Sequence, residues 1–190
     1  RPTPRRGADV QRAISVTFQT AALGGTEHLE FDDGTTVDLH IPAGVEDGAK
    51  LRLRGRGGGG LDGGERGDVI VTIKVGGHPW FTRRGRDLMV DVPITIVEAA
   101  CGTRVRVALL QGSVDLTVPP GSSSGTRLRV KGQGMLQDGG DPGDLYAIIQ
   151  VVAPEGLSES DMETLKTLAQ DLPDPRQDAP GVSSLREHES

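Results

Sequence analysis

The residues with the most obvious chemical potential in this 190-residue chain lie in one glycine-rich stretch, LRLRGRGGGGLDGGERGDVIV, at positions 51–71. Eight glycines between Gly55 and Gly67 are interspersed with arginines and acidic residues. Three chemistries use such a composition: RNA binding by Arg-Gly-Gly segments, phosphate binding by a glycine loop, and cell adhesion through the tripeptide Arg66-Gly67-Asp68. Each of them requires more than the glycines alone.

A second copy of the surrounding sequence argues against all three chemistries. Residues 37–57 read VDLHIPAGVEDGAKLRLRGRG and residues 114–134 read VDLTVPPGSSSGTRLRVKGQG, at a constant offset of 77. The second loop keeps its glycines, lacks the arginines and ends in Pro142-Gly143-Asp144. A phosphate loop would need a following helix and a Gly-Lys-Ser/Thr ending. The shared Gly-Asp before a strand indicates a turn, so we predict a flexible strand connection, with a binding loop as the alternative.

No residues are spaced for catalysis or for metal binding. The histidines are His28, His40, His78 and His188, and their spacing matches no metal site. The single cysteine, Cys101, excludes an internal disulfide and a cysteine-rich zinc site, and its alanine neighbours are typical of a small core residue. We therefore predict a protein that is not an enzyme and that uses no cofactor or metal.

The charge distribution disfavours nucleic acid as a partner. The net charge is −6, and residues from Glu155 onwards carry nine acidic and three basic side chains. The first 154 residues carry eighteen of each sign, whereas nucleic-acid binding requires a basic face. No stretch approaches 18 apolar residues and the N-terminus does not resemble a signal peptide. We expect a cytoplasmic protein without a membrane partner.

Alternating apolar residues predict strands in both copies. Val37, Leu39 and Ile41 alternate with polar residues, and both loops resume as GDVIVTIKV (67–75) and GDLYAIIQV (143–151). Proline and glycine at 42–44 provide turn chemistry, and TAALGG predicts a short helix. The predicted fold class is all-β dominated: two tandem small β-sandwich-like domains of the same fold, with short helices and a C-terminal helix.

The C-terminal helix is predicted at 157–172, LSESDMETLKTLAQDL. Ser158 is a good N-cap residue, and Asp161 completes a capping box. The apolar side chains assigned to this helix are Leu157, Met162, Leu165, Leu168 and Leu172. A helix with an apolar stripe must pack on its own domain or on a second chain, and the sequence leaves both possibilities open.

The segment HPWFTRRGRDL at 78–88 resembles the junction between the two β domains of DnaJ-type (J-domain) co-chaperones. The matching residues are His78, Pro79, Phe81, Arg83, Gly85, Asp87 and Leu88. The segments 119–134 and 143–146 are also similar to the family, so the resemblance covers about residues 5–172. Zinc-bearing members insert cysteine repeats where this chain has only Asp32-Asp33-Gly34-Thr35, so the resemblance is to the zinc-less subclass.

The resemblance implies that unfolded polypeptide clients bind in a shallow apolar groove of the first β domain. The implied groove residues are Ile14, Val16, Leu29 and Phe31, with Phe81 near the rim. Arg12 departs from the family, which usually has an apolar residue at that position. The resemblance also implies a homodimer formed through the C-terminal helix, and delivery of clients to a DnaK-type chaperone ATPase. The family's J-domain carries a His-Pro-Asp tripeptide, whereas His78-Pro79 is followed here by Trp80, so we do not expect residues 1–190 to include the J-domain that contacts this ATPase.

These observations give the following domain prediction. We expect a linker at 1–8, a client-binding first β domain at 9–77, a junction at 78–87, a second β domain at 88–153, a dimerisation helix at 154–172 and a disordered tail at 173–190. Two alternative functions remain: a DNA-binding nucleoid-associated protein, and a tandem β structural or interaction module that binds no client.

Overall fold

The computed structural model describes residues 3–31, 34–136 and 140–176. These residues form two compact units, one ending at Val152 and the other beginning at Ala153. The predicted turn at Asp32-Asp33, the first two residues of the predicted linker and the part of the predicted tail from residue 177 onwards lie outside the described residues.

The first β domain consists of a three-stranded sheet and a separate hairpin. Its elements are β1 (Val10–Val16), α1 (Phe18–Leu23), β2 (Gly25–Glu30), β3 (Thr36–Ile41), β4 (Lys50–Leu53) and β5 (Val69–Val75). The sheet has the order β1-β5-β4, in which β1 runs parallel to β5 and β4 runs antiparallel to it. Strands β2 and β3 pair only with each other among the described strands.

The second β domain repeats this arrangement and adds one strand. Its elements are β6 (Phe81–Arg84), β7 (Asp87–Thr95), α2 (Ile96–Cys101), β8 (Thr103–Ala108), β9 (Ser113–Val118), β10 (Arg127–Val130) and β11 (Leu145–Val152). Strand β7 corresponds to β1 and pairs in parallel with β11, while β6 covers its other edge in the sheet order β10-β11-β7-β6. The predicted all-β dominated fold class is confirmed, and the parallel pairs were not predicted.

Each domain buries its alternating apolar residues between the sheet and the hairpin. In the first domain Leu39 and Ile41 of the hairpin pack with Val71 and Ile73 of β5. The buried cluster of the second domain also includes Phe18 and Ala22 from α1 of the first domain, together with Phe81. Helix α1 therefore contributes to the packing between the two domains.

The two short helices have the same residue types at their ends, a threonine at the N-cap and a glycine at the C-cap. Thr17 caps α1 by accepting a hydrogen bond from the Thr20 N–H, and Thr95 caps α2 in a capping box with Glu98. Both helices are followed by a glycine with positive φ, 78° at Gly24 and 80° at Gly102. Local chemistry thus fixes the same turn from first strand to hairpin in both domains.

Two residues of the junction motif, His78 and Arg83, make side-chain hydrogen bonds to the backbone. Nδ1 of His78 accepts hydrogen bonds from the backbone N–H groups of Trp80 and Phe81, both at 3.2 Å. The guanidinium of Arg83 donates to the carbonyl oxygens of Val45 at 2.7 Å and Gly44 at 2.9 Å in the first domain. These contacts link the two β domains through one side chain.

The glycine-rich loop connects β4 to β5, as predicted, and it is hydrogen-bonded to a neighbouring segment, which the sequence did not indicate. Its backbone pairs with the N-terminal segment, because Arg5 and Leu61 exchange two hydrogen bonds of 3.1 and 2.9 Å. A Cβ atom on Gly64 would lie 2.0 Å from the Arg5 carbonyl oxygen, and one on Gly67 would lie 2.2 Å from that of Ala8. The glycines therefore permit close approach of two backbones.

The C-terminal unit contains one helix, α3 (Glu159–Gln170). Its N-cap is Ser158, whose hydroxyl accepts from the Asp161 N–H while the Asp161 carboxylate accepts from the Ser158 N–H. The predicted helix and its capping box are confirmed. No residue of α3 is buried, so its apolar side chains are available for contacts beyond the helix itself.

Candidate functional site

Three of the predicted groove residues lie half-buried at strand edges of the first domain. Ile14 is on β1, Leu29 is on β2, and Phe31 directly follows β2; all three pack on the first-domain core. Strands β1 and β2 are both edge strands. Each pairs with one strand only within the part of the chain that the structure describes. The arrangement places partly exposed apolar side chains beside unpaired backbone groups.

A depression of about 190 Å³ lies beside Phe31. It is lined by Val10, Arg12, Phe31, Arg56 and Val69, together with the backbone of Gly57 and Gly58. The guanidinium carbon of Arg12 lies 5.8 Å from the centroid of the Phe31 ring, which is a cation–π distance. The depression is therefore lined by apolar side chains and by two arginines.

The other two predicted groove residues are core residues in the structure. Val16 is 4% exposed and belongs to the first-domain cluster, and Phe81 is 5% exposed and belongs to the second-domain cluster. The ring of Phe81 lies against that of His78 at a centroid distance of 4.8 Å. The accessible apolar surface is consequently formed by Ile14, Leu29 and Phe31, with Val10 beside them.

Sequence reasoning missed Val10, Arg56 and Glu27. Val10 could have been found, because it continues the alternation of Ile14 and Val16 along β1. Glu27 lies opposite Leu39 in the β2–β3 hairpin, and directly opposed residues share a face. Since Leu39 is 3% exposed, Glu27 is on the core-facing side of the hairpin while remaining only half-buried.

The tripeptide Arg66-Gly67-Asp68 is not presented for adhesion. Asp68 is 5% exposed, and its carboxylate accepts from the Gly55 N–H at 2.8 Å and pairs with Arg6 at 2.9 Å. The hydrogen bond from Gly55 is the largest influence that lowers the pKa of Asp68 below its usual value, with burial opposing it and Arg6 and Arg52 adding to the lowering. This aspartate is a structural anchor of the loop.

The described residues provide no site for metal chemistry and no membrane-crossing helix. No three histidine, cysteine, aspartate or glutamate side chains among residues 3–31, 34–136 and 140–176 come together in a way that could hold a metal ion. None of the helices in these ranges combines the length and the apolar character that crossing a bilayer requires.

The predicted dimerisation residues lie on or beside α3 with different exposure. Leu157 and Leu165 are half-buried, whereas Met162, Leu168 and Leu172 are exposed to 46%, 54% and 59%. Because Met162 and Leu168 on the helix and Leu172 just after it are this open to water, the C-terminal unit carries apolar surface that its own residues do not cover.

Comparison with known proteins agrees with the fold and the junction. Residues 10–154 match the model of the DnaJ C terminal domain. A curved DNA-binding protein of Pseudomonas syringae pv. tomato is 37% identical over 169 residues, which cover 82% of this chain and 54% of that protein. Proteins of the same name are 36% identical over 93% of the chain in Coxiella burnetii and 37% identical over 90% in Pseudomonas putida.

The aligned region is 54% to 60% of the length of these three relatives, so the relatives are considerably longer than the chain. The match to the family model spans both β domains and the junction between them. The chain belongs to the DnaJ C-terminal domain family.

Proposed function

We propose that this chain binds unfolded polypeptides in the groove between β1 and β2, as the client-binding part of a co-chaperone. The observation that carries the proposal is the position of Ile14, Leu29 and Phe31, which are half-buried at two strand edges that have no partner among the described strands. A client segment would cover these side chains, and no sequence motif in the client would be needed for that contact.

The available surface fits weak binding. Covering about 300 to 400 Å² of apolar area stabilises a complex by roughly 8 to 10 kcal/mol at about 25 cal/mol per Å² before costs are included. Ordering a flexible peptide and losing its rigid-body freedom removes much of this free energy. A dissociation constant in the micromolar range or weaker is expected, which suits a protein that must release its clients.

Backbone groups add affinity that does not depend on client sequence. The open edge of β2 exposes N–H and C=O groups next to Leu29, and an extended client can pair with them as an added strand. The outer edge of β1 is open as well among the described strands, whereas in the second domain β6 occupies the corresponding edge of β7 along residues 87–90. We therefore place the principal client site in the first domain.

Two further parts of the proposal concern assembly. The exposed apolar side chains Met162, Leu168 and Leu172 would form a homodimer with a second copy of α3, so that two grooves face one client and binding gains avidity. In a longer protein that carries a J-domain, the bound client would be delivered to a DnaK-type chaperone ATPase.

Suppression of aggregation tests the client site. We would measure light scattering of a chemically denatured enzyme diluted into buffer with the wild-type chain or with Leu29→Thr/Phe31→Thr. Threonine keeps strand propensity but removes most of the apolar surface. The double variant is expected to lose most of the protection while its circular dichroism spectrum and thermal midpoint show that it remains folded.

The matched control carries the same kind of substitution at exposed apolar residues outside the groove. Leu61→Thr/Val97→Thr changes two side chains that are each 65% exposed, and it should protect as well as the wild type. If a folded Leu29→Thr/Phe31→Thr variant protects fully, or if the control loses as much protection, the groove is not the client site.

DNA binding is a second candidate function, because the three relatives above are named curved DNA-binding proteins. The outer face of the first sheet carries Lys50, Arg52 and Lys74. Lys50 lies opposite Thr72 and Arg52 lies opposite Ile70. Since Ile70, Thr72 and Lys74 are alternate residues of β5, all three basic side chains are on one face. Gel shifts between about 50 and 200 mM salt, with Lys50→Ala/Lys74→Ala as the variant, test this candidate. Binding through these residues would weaken steeply with salt and would become less salt-dependent in the variant.

A further inference from the structure

The segment before β1 repeats the sequence that forms β6 and its turn in the second domain. The helix caps align Thr17 with Thr95, which sets an offset of 78 between the two domains at this end. With this offset residues 3–9, TPRRGAD, correspond to residues 81–87, FTRRGRD. The two segments share Arg-Arg-Gly and the final aspartate, so the chain carries a counterpart of β6 ahead of β1.

The two counterparts lie in different places. In the second domain residues 81–84 pair with residues 87–90 of β7 and cover its outer edge. In the first domain the corresponding segment lies on the glycine-rich loop, where Arg5 and Leu61 exchange hydrogen bonds of 3.1 and 2.9 Å. The outer edge of β1 consequently has no partner among the described strands.

The uncovered edge of β1 has the backbone geometry to accept a strand. The Val10 N–H donates to the Asp68 carbonyl oxygen at 2.8 Å, on the side of β5. The N–H and C=O groups of Gln11 therefore point away from β5, because backbone groups alternate in direction along a strand. The corresponding residue of β7 is Met89, which pairs with Thr82 of β6. Gln11 thus occupies the position at which the second domain binds its covering strand.

Two differences in sequence weaken the hold of the first-domain segment on this edge. Pro4 is found where β6 has Thr82, and proline has no N–H to donate to the residue opposite. Thr3 is found where β6 has Phe81, whose side chain is 5% exposed and belongs to the second-domain core. The first-domain segment therefore lacks both a ladder hydrogen bond and the apolar anchor of β6.

The glycine-rich loop provides the position that the segment occupies instead. The Gly7 N–H donates to the Glu65 carbonyl oxygen at 2.8 Å, in addition to the two bonds between Arg5 and Leu61. Gly64 approaches so closely that a Cβ atom on it would lie 2.0 Å from the Arg5 carbonyl oxygen. A side chain at this glycine would exclude the segment from the loop.

We propose that residues 3–6 are a strap that can cover the edge of β1, and that the glycine-rich loop holds this strap away so that the client groove stays open. This inference rests on the proposed client site and concerns the regulation of that site. When the loop no longer binds the strap, the strap pairs with β1 and closes the edge to clients.

The hairpin of the second domain gives the covering position. Because β6 runs antiparallel to β7, the strap would lie along residues 9–12 with Arg6 opposite Asp9. These two side chains already form an ion pair of 3.5 Å. Val10, within the covered stretch, lines the depression beside Phe31. A client segment that pairs with β1 next to Val10 needs the same edge, so the strap and the client exclude each other.

Giving the strap the sequence of β6 should close the edge. Thr3→Phe/Pro4→Thr makes residues 3–7 identical to residues 81–85. We expect backbone hydrogen exchange, followed by NMR on the full chain, to slow about tenfold at the Gln11 amide and to accelerate at the Leu61 amide. Tenfold protection means that the edge is open about a tenth of the time, so the affinity for a client should also fall about tenfold. The probe is fluorescein-labelled reduced and carboxymethylated lactalbumin, which stays unfolded, followed by anisotropy.

Gly64→Ala tests the same strap from the side of the loop and leaves the strap sequence unchanged. Its methyl group excludes Arg5 from the loop, so exchange at the Gln11 amide should slow, by a smaller factor because Pro4 remains. Gly59→Ala is the matched control, since nothing lies within 4 Å of a Cβ atom at that glycine. It should leave both the exchange and the affinity for the probe at their wild-type values.

The outcomes separate the strap from the client site. Unchanged exchange at the Gln11 amide in both Thr3→Phe/Pro4→Thr and Gly64→Ala overturns the strap and leaves the client site standing. A protected Gln11 amide with undiminished affinity for the probe overturns the regulatory role. If the wild type does not bind the probe, or if Leu29→Thr/Phe31→Thr binds it equally well, the client site itself is wrong.

Discussion

The carboxylate of Asp68 accepts a hydrogen bond of 2.8 Å from the backbone N–H of Gly55, across the base of the glycine-rich loop. The second domain repeats this bond between Asp144 and Gly132, also at 2.8 Å. The aspartate N–H in turn donates to Asp9, directly before β1, in the first domain and to Asp87, the first residue of β7, in the second. The Gly-Asp pair that directly precedes the last strand of each repeat is therefore the anchor of the loop.

Replacing this anchor should destabilise each domain. In Asp68→Asn the carboxylate charge is lost, which weakens the hydrogen bond from Gly55 and removes the ion pair with Arg6, so we expect a lower thermal midpoint by calorimetry, and the same direction for Asp144→Asn. Asp62→Asn, in the same loop with a φ of 53°, is the matched control, because asparagine tolerates this conformation. An unchanged midpoint in Asp68→Asn would contradict the role of the anchor.

The same aspartates predict the pH dependence of stability. The Gly55 and Gly132 hydrogen bonds lower the pKa of Asp68 and of Asp144 in the folded chain relative to the unfolded chain. The unfolded state then binds more protons in this range, so their stabilisation is complete above a pH of about 4 and is lost as the pH falls through the lowered values. Urea unfolding between about pH 2.5 and 6 should show this loss, and Asp68→Asn/Asp144→Asn should flatten the curve.

Arg83 should be irreplaceable by lysine. Its guanidinium bonds the carbonyl oxygens of Val45 and Gly44 across the two domains and that of Gly85 in its own hairpin. A lysine cannot form this planar set of bonds, so Arg83→Lys should cost about 1 to 3 kcal/mol and uncouple the unfolding of the two β domains. Arg84→Lys, at the exposed neighbouring position, is the control. Calorimetry would show two separated transitions only in the first variant.

The glycines of the loop should differ in their tolerance to alanine. In Gly64→Ala the new methyl group would lie 2.0 Å from the Arg5 carbonyl oxygen, whereas nothing lies within 4 Å of the same position on Gly59. We expect Gly64→Ala to cost about 1 to 3 kcal/mol and to raise hydrogen exchange at the Leu61 and Gly7 amides. Gly59→Ala should exchange as the wild type does, and a rise there would contradict the close-approach explanation.

Removal of α3 tests the proposed homodimer. A chain that ends at Ala153, or the full chain with Met162→Gln/Leu168→Gln, should elute as a monomer in size-exclusion chromatography with light scattering. Glutamine retains helix propensity, so the second variant changes the apolar stripe and not the helix. Lys166→Gln on the same helix is the control. A wild-type monomer, or a dimer that persists without α3, would contradict this assembly.

Much of the fold follows from local patterns that the sequence displays directly. The repeat at an offset of 77 implied two copies of one unit, and the alternation of Val37, Leu39 and Ile41 identified a strand. Ser158 and Asp161 identified the start of α3 because capping depends on a few neighbouring residues. The junction motif at 78–88 indicated the family, and in the structure its His78 and Arg83 make hydrogen bonds while its Phe81 is buried.

The groove was less predictable, because alternation assigns a residue to a face and does not say what covers that face. Val16 and Ile14 share a face of β1, yet Val16 is buried and Ile14 is not. Phe81 was expected at the rim, and instead β6 pairs with β7 and carries its ring into the second-domain core. Such differences depend on which strands become edges, and edges are set by contacts distant in sequence.

The sequence by itself determined the duplication, the strands, the capped helices and the family, since each depends on residues close together in the chain. Only the tertiary structure decided that the glycine loop packs on residues 5–8, that β6 covers the outer edge of β7 while the corresponding edge of β1 stays open among the described strands, and that Arg12 lies over the ring of Phe31. The physical reason is that packing brings together groups whose separation in sequence carries no local signal.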